Sequence, residues 1–126
     1  MIARIWQGAT AAKDSEEYVE FLRRTGFSEY AATPGNRAVI GLRRVRDGRA
    51  EFLLLTLWES EEAIRRFAGS TPEQAVFYPE DERYLVEWGE TVDHWEVVHR
   101  FEAAEPSVTA HKRSLGRRLA TILPGR

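Results

Sequence analysis

The chain has 126 residues, enough for one two-layer core and too few for two. It contains no cysteine, which excludes disulfides, thiolate metal sites, iron–sulfur clusters and cysteine nucleophiles. A formal net charge of −2 hides an uneven distribution: residues 1–105 hold 13 Lys and Arg against 20 Asp and Glu, whereas residues 106–126 hold five basic residues and no acidic one. An acidic body repels a phosphate backbone, so no nucleic-acid partner is expected. The opening MIARIWQG is too short, and too interrupted by Arg4, for a signal peptide or a membrane span. The expected location is the cytoplasm, with no membrane partner.

Along the chain, Ile2 to Thr10 has large side chains in both phases and reads as a strand occupied on both faces. Asp14 and Glu17 are spaced as a capping box, and Tyr18, Phe21, Leu22 and Thr25 follow at helical spacing, predicting a helix from about 15 to 25 that ends at Gly26. Pro34-Gly35-Asn36 breaks the chain before a second strand, Arg37 to Arg46. Asp47-Gly48 then leads into EFLLLTLW, the strongest strand in the sequence, and predicts a hairpin with a type I′ turn. Ser60 caps a helix over about 61–69, with Glu61 and Glu62 at the positive end of its dipole and Ala63, Ile64, Phe67 and Ala68 in one stripe. The periodicity fades from Gly69 to Pro79, where a short helix at 73–77 fits. Leu85, Val86 and Trp88 form a short apolar element, and Thr91 to Phe101 reads as the last strand.

The order β-α-β-β-α-β is that of an α+β, ferredoxin-like fold: a four-stranded antiparallel sheet with two helices on one face. The other face then carries uncovered Trp, Leu, Val and Phe side chains, which predicts a homodimer. The domain is expected over 1–102, followed by a basic C-terminal tail over 103–126 with a short helix near Ala110 to Leu119.

MIARIWQG, the helix ending near Gly26, TPGN, the hairpin into EFLLLTLWESEEAIRRFAG, and VDHWEV together resemble the antibiotic biosynthesis monooxygenase family across about residues 1–100. The resemblance implies a dimeric α/β barrel with a pocket between sheet and helices in each subunit. It implies no single chemistry, and many members have no known reaction. Some members oxygenate polyphenolic polyketide intermediates without metal or flavin, and some bind and degrade haem. Trp58 matches the tryptophan that lines the pocket in both groups. Haem-degrading members pair an asparagine on strand 1 with a histidine after helix 2. Here strand 1 offers Trp6 and Gln7, the segment after helix 2 offers Phe77 and Tyr78, and no histidine precedes His94.

The expected activity is therefore cofactor-independent monooxygenation of an aromatic or polyketide-like phenol. A non-oxidative polyketide cyclase or isomerase, or a dimeric binding protein without turnover, are the alternatives. Such an oxygenation needs an electron-rich substrate, a base to generate its anion, and a dry pocket. His94 titrates near neutral pH and is the candidate base, with Tyr78 as a hydrogen-bond donor. Trp58 and Trp6 are candidate aromatic walls, and Arg83 a candidate partner for a developing oxyanion. His94 and His99 lie in opposite phases of the last strand, so only one of them is expected to face the pocket, and the sequence does not say which. His94 and Glu96 alone make no metal site, and no metal or cofactor is expected. Glu80-Asp81-Glu82 reads as a solvated turn. Motifs for nucleotide binding, catalytic triads and zinc are absent.

Overall fold

The computed structural model describes residues 1–103. The predicted tail, with its helix near Ala110 to Leu119, lies outside the described residues apart from Ala103.

The chain runs through β1 (Ile2–Ala11), a 3-10 turn (Ala12–Asp14), α1 (Ser15–Arg24), α2 (Gly26–Ala32), β2 (Asn36–Arg46), β3 (Arg49–Trp58), α3 (Glu61–Ala68), α4 (Asp81–Tyr84), β4 (Leu85–Trp88) and β5 (Asp93–Glu96). β1 pairs antiparallel with β3 from Ile2↔Trp58 to Ala11↔Arg49. β3 alternates strictly between buried even positions and half-buried odd ones, although EFLLLTLW is apolar in both phases, so its even face meets the helices and its odd leucines line the other face. The β2–β3 hairpin turns at Asp47 and Gly48, both with positive φ (54° and 71°), as a type I′ turn requires.

Helix boundaries follow local chemistry. The Ser60 hydroxyl accepts a hydrogen bond from the Ala63 N–H at 3.1 Å and starts α3, as expected, and α3 stops at Gly69, whose φ is 84°. The capping box at Asp14 does not form, because Asp14 closes the 3-10 turn instead. Gly26 does not end the helical region. The chain breaks at Thr25, whose hydroxyl donates to the Phe21 carbonyl, and Gly26 opens α2, a helix the sequence pattern does not predict. Residues 73–77 form no helix.

The expected fold class is corrected on two points. The sheet has five strands, in the order β2-β3-β1-β4 with β5 also on β1, and it is open, so the chain is α+β with an antiparallel sheet that does not close into a barrel. β4 and β5 lie end to end on one edge of β1, β5 against Ile2–Ile5 and β4 against Gly8–Thr10. The last strand, predicted over Thr91 to Phe101, is only Asp93–Glu96, and the separate apolar element at Leu85, Val86 and Trp88 is β4; the chain leaves the sheet between them. Ala75 donates its N–H to the Glu90 carbonyl, Val92 donates to the Glu73 carbonyl, and Gln74 bridges Thr91. Those bonds tie the 73–75 segment to residues 90–92 and take these residues out of register with β1.

The even positions of β1 and β3 face the helices and build the core with Tyr18, Phe21, Leu22, Tyr30, Ile64, Tyr84 and Leu85. The opposite face has no covering element among the described residues. Ile5, Leu53, Leu55 and Leu57 are half-buried there, and Ile40, Leu42 and Trp95 are exposed. The β2 edge carries Arg37, Arg43, Arg44 and Arg46, with Arg37 paired to Glu59, Arg43 to Glu16, and Arg44 and Arg46 to Glu51. Charge of that kind discourages edge-to-edge pairing. Among the described residues, no helix is long and apolar enough to cross a membrane.

Candidate functional site

Arg4 lies in the inward phase of β1 between Ile2 and Trp6, and only 2% of its surface is exposed. A guanidinium there must find partners inside the protein. Its Nη2 donates to the Gln74 carbonyl at 3.0 Å, and its Cζ lies 5.6 Å from the Phe67 ring centroid. Its Nε is buried and has no hydrogen-bond partner among the described residues. Burial pushes the Arg4 pKa below its ordinary value, and the nearby Tyr30 hydroxyl partly restores it. Burial likewise raises the Tyr30 hydroxyl, and Arg4 draws it back.

Trp6 is the next inward residue. Its indole lies along the strand over Gly8, where a Cβ would collide with it, and its Nε1 donates to the Gly89 carbonyl at 2.7 Å. Phe77 meets this ring edge-on, with centroids 6.2 Å apart.

Opposite them, Asp81 begins α4 and is 6% exposed, in contrast to the solvated turn expected of Glu80-Asp81-Glu82. Its Oδ2 accepts the Tyr78 N–H at 2.7 Å and its Oδ1 accepts the Tyr18 hydroxyl at 3.3 Å. Burial raises its pKa to about 6, against the hydrogen bond from Tyr18, with a further push upward from Glu80. The Tyr78 hydroxyl is buried and, like Arg4 Nε, has no partner among the described residues.

These side chains surround one small cavity between sheet and helices. Arg4, Trp6, Tyr30, Phe77, Tyr78 and Asp81 line it, and it encloses about 20 Å³, room for about one water. An open groove of about 340 Å³ lies on the far side of Phe77, Tyr78 and Asp81, completed by Pro79, Glu82, Leu85 and Trp88.

Of the residues singled out in the sequence, Trp6 and Tyr78 line the cavity. Trp58 stands one layer behind it, fully buried, with Nε1 donating to Thr56 Oγ1 at 2.8 Å and its ring against Phe67 and Tyr30. His94 pairs in register with Arg4 on the helix-facing side of the sheet, but it is exposed and not part of the lining. Desolvation, and then the Arg4 charge, holds its imidazole below the usual pKa. His99 is exposed, and so is Arg83, whose guanidinium lies over the Tyr84 ring. Arg4, Tyr18, Tyr30 and Asp81 were not foreseen. Arg4 alone left a trace in the sequence, as a charge in the same strand phase as Trp6 and Thr10.

Among the described residues, no group of three or more His, Asp or Glu is placed to hold a metal ion. Haem does not fit this cavity either, since no histidine lines it and about 20 Å³ is far below the size of a porphyrin.

No family model matches the chain, and no curated protein does. Solved structures do. A Bacillus cereus protein provisionally assigned as an antibiotic biosynthesis monooxygenase superposes with a TM-score of 0.53 at 23% identity, over 81% of this chain and 97% of that one. A variant of MhuD holding two manganese protoporphyrin IX molecules per active site superposes with a TM-score of 0.52 at 20% identity, over 82% of this chain and all of that one. At these identities the likeness is one of fold: this chain has the fold seen in that provisional monooxygenase and in MhuD.

Proposed function

We propose that the protein is a cofactor-independent monooxygenase of an aromatic or polyketide-like phenol, acting where the small cavity lined by Arg4, Trp6, Tyr78 and Asp81 adjoins the open groove beside Phe77. The observation that carries this reading is Asp81, a buried carboxylate titrating at about 6 on the wall of a cavity that also holds a buried cation. A base with that pKa is mostly ionised at neutral pH, which suits removal of a proton from a phenol or from the ring CH2 of its keto tautomer. The Arg4 charge favours the resulting anion, and Trp6 and Phe77 exclude water beside it. The oxidation balances without added reductant. A ring CH2 becomes a carbonyl, one oxygen atom of O2 stays in the product, and the other leaves as water with the two hydrogens. All four electrons come from that carbon. His94 and Arg83 have no part in this scheme.

An oxygen electrode and a panel of polyphenols test it. The expected result is one O2 consumed per substrate with no flavin, metal or reductant added. Product formed at the same rate without oxygen would instead favour the cyclase or isomerase reading, and no product from any phenol would favour a binding protein.

We propose, too, that a second copy of this chain covers the open sheet face. Its Ile5, Ile40, Leu42, Leu53, Leu55, Leu57 and Trp95 form one apolar surface, which a two-fold axis can set against itself. Light scattering on the full-length protein is expected to give twice the monomer mass, and Leu55→Lys to halve it. A monomeric wild type would contradict this.

A further inference from the structure

Arg4 is a cation in the interior whose buried Nε has no partner among the described residues, and the buried Tyr78 hydroxyl on the same cavity has none among them either. Leaving such groups unpaired is unfavourable, and an apolar side chain of similar volume at position 4 would avoid it. The two orphans therefore point to a ligand that supplies what they lack. Arginine only donates, so the missing group is an acceptor, and a buried full charge favours one that is itself charged at neutral pH. A free phenol keeps its proton up to a pKa of about 10, whereas a carboxylic acid is ionised above about 4. A carboxylate also offers two oxygens for two donors.

At about 20 Å³ the cavity takes a small polar head group at most. The body of any ligand must lie in the adjoining groove, which shares Phe77, Tyr78 and Asp81 with the cavity and adds Leu85 and the half-exposed Trp88. About 340 Å³ is within the range of small-molecule pockets. The segment separating the two spaces is held at Ala75, through its bond to Glu90, and at Tyr78, through Asp81. The Phe77 side chain between those anchors is partly exposed and lines both spaces.

We propose that cavity and groove are one site for an aromatic carboxylate, with the carboxylate oxygens on Arg4 Nε and the Tyr78 hydroxyl and the ring in the groove beside Phe77 and Trp88. The inference rests on the reading of this cavity as the functional site and narrows its substrates to phenolic acids. Asp81 borders both spaces, so a hydroxyl on the bound ring stays within its reach.

Isothermal titration of the full-length protein with 2-naphthoate and with 2-naphthamide, nearly the same shape without the charge, tests it. The expected result is a preference for naphthoate of roughly tenfold to a hundredfold, the worth of hydrogen bonds to a charged group. Arg4→Met is expected to abolish the preference, and Tyr78→Phe, which preserves the ring and its packing, to reduce it. Equal affinity for the two compounds, no binding of either, or a preference that survives both substitutions would overturn the inference. Oxygen uptake without a preference for the acid would overturn this proposal alone, and the preference without oxygen uptake would overturn the oxygenase reading alone.

Discussion

Asp81→Asn is expected to lower kcat/KM for the oxidised phenol by a factor of about 10² to 10⁴, the usual worth of a positioned general base. Asparagine keeps an oxygen to accept the Tyr78 N–H or the Tyr18 hydroxyl but cannot take a proton. Wild-type activity should rise with pH through about 6 as the carboxylate ionises, and the variant should lack that limb. The same group has a signature in stability. Its folded pKa, about 6, lies above the reference value of 3.8, so the folded state holds the proton more tightly than the unfolded chain. The stability this contributes is complete below about pH 4 and is lost as pH rises through about 6, with an upper bound of about 3 kcal/mol for a difference near two pH units. Urea denaturation of wild type and variant across pH 4 to 7 reads it directly: the gap between the two curves should move in favour of Asp81→Asn as pH rises. A pH-independent gap, or wild-type turnover by the variant, would remove Asp81 from the mechanism.

Trp58→Ala is expected to destabilise the fold by about 3–5 kcal/mol. Trp58 has no exposed surface and packs with ring centroids 6.0 Å from Phe67 and 6.3 Å from Tyr30. Its removal leaves a cavity behind both residues and takes the indole donor from Thr56, whose hydroxyl also donates to the Arg4 carbonyl. For a domain of this size each kcal/mol shifts Tm by about 4–8 °C, so thermal melting should show a fall of at least about 12 °C. Trp58→Phe should fall much less, because it refills most of the space. A loss below about 1 kcal/mol for Trp58→Ala would mean that Trp58 does not brace the cavity wall.

The parts of the fold legible in the sequence were those specified by neighbours in the chain. The apolar run EFLLLTLW, the Asp47-Gly48 turn and the Ser60 cap each act over a few residues, and each forms its strand, turn or helix start where its pattern places it. The loss of Thr91 and Val92 from the last strand goes with bonds between residues 73–75 and 90–92, which leave no periodic trace. α2 was hidden because Gly26 reads as a terminator, although Tyr30 and Phe27 anchor the helix, Phe27 packing over Gly41 of β2. The open sheet differs from the barrel that the family resemblance implied.

The candidate site was legible only in part, for the same reason. Trp6 and Tyr78 are large aromatics whose residue type alone suggests a wall. Arg4 looked like an interruption in a short apolar run, and Asp81 like the middle of a charged turn. Both are buried by partners far along the chain: Gln74 lies 70 residues from Arg4, and Tyr18 lies 63 residues from Asp81.

The proton acceptor can be tested without knowing the substrate. A pH titration of the Asp81 side-chain carboxyl by carbon-detected NMR, on the intact protein, should give a midpoint near 6. A midpoint below about 4, where unperturbed aspartates titrate, would contradict the assignment of Asp81 as the base.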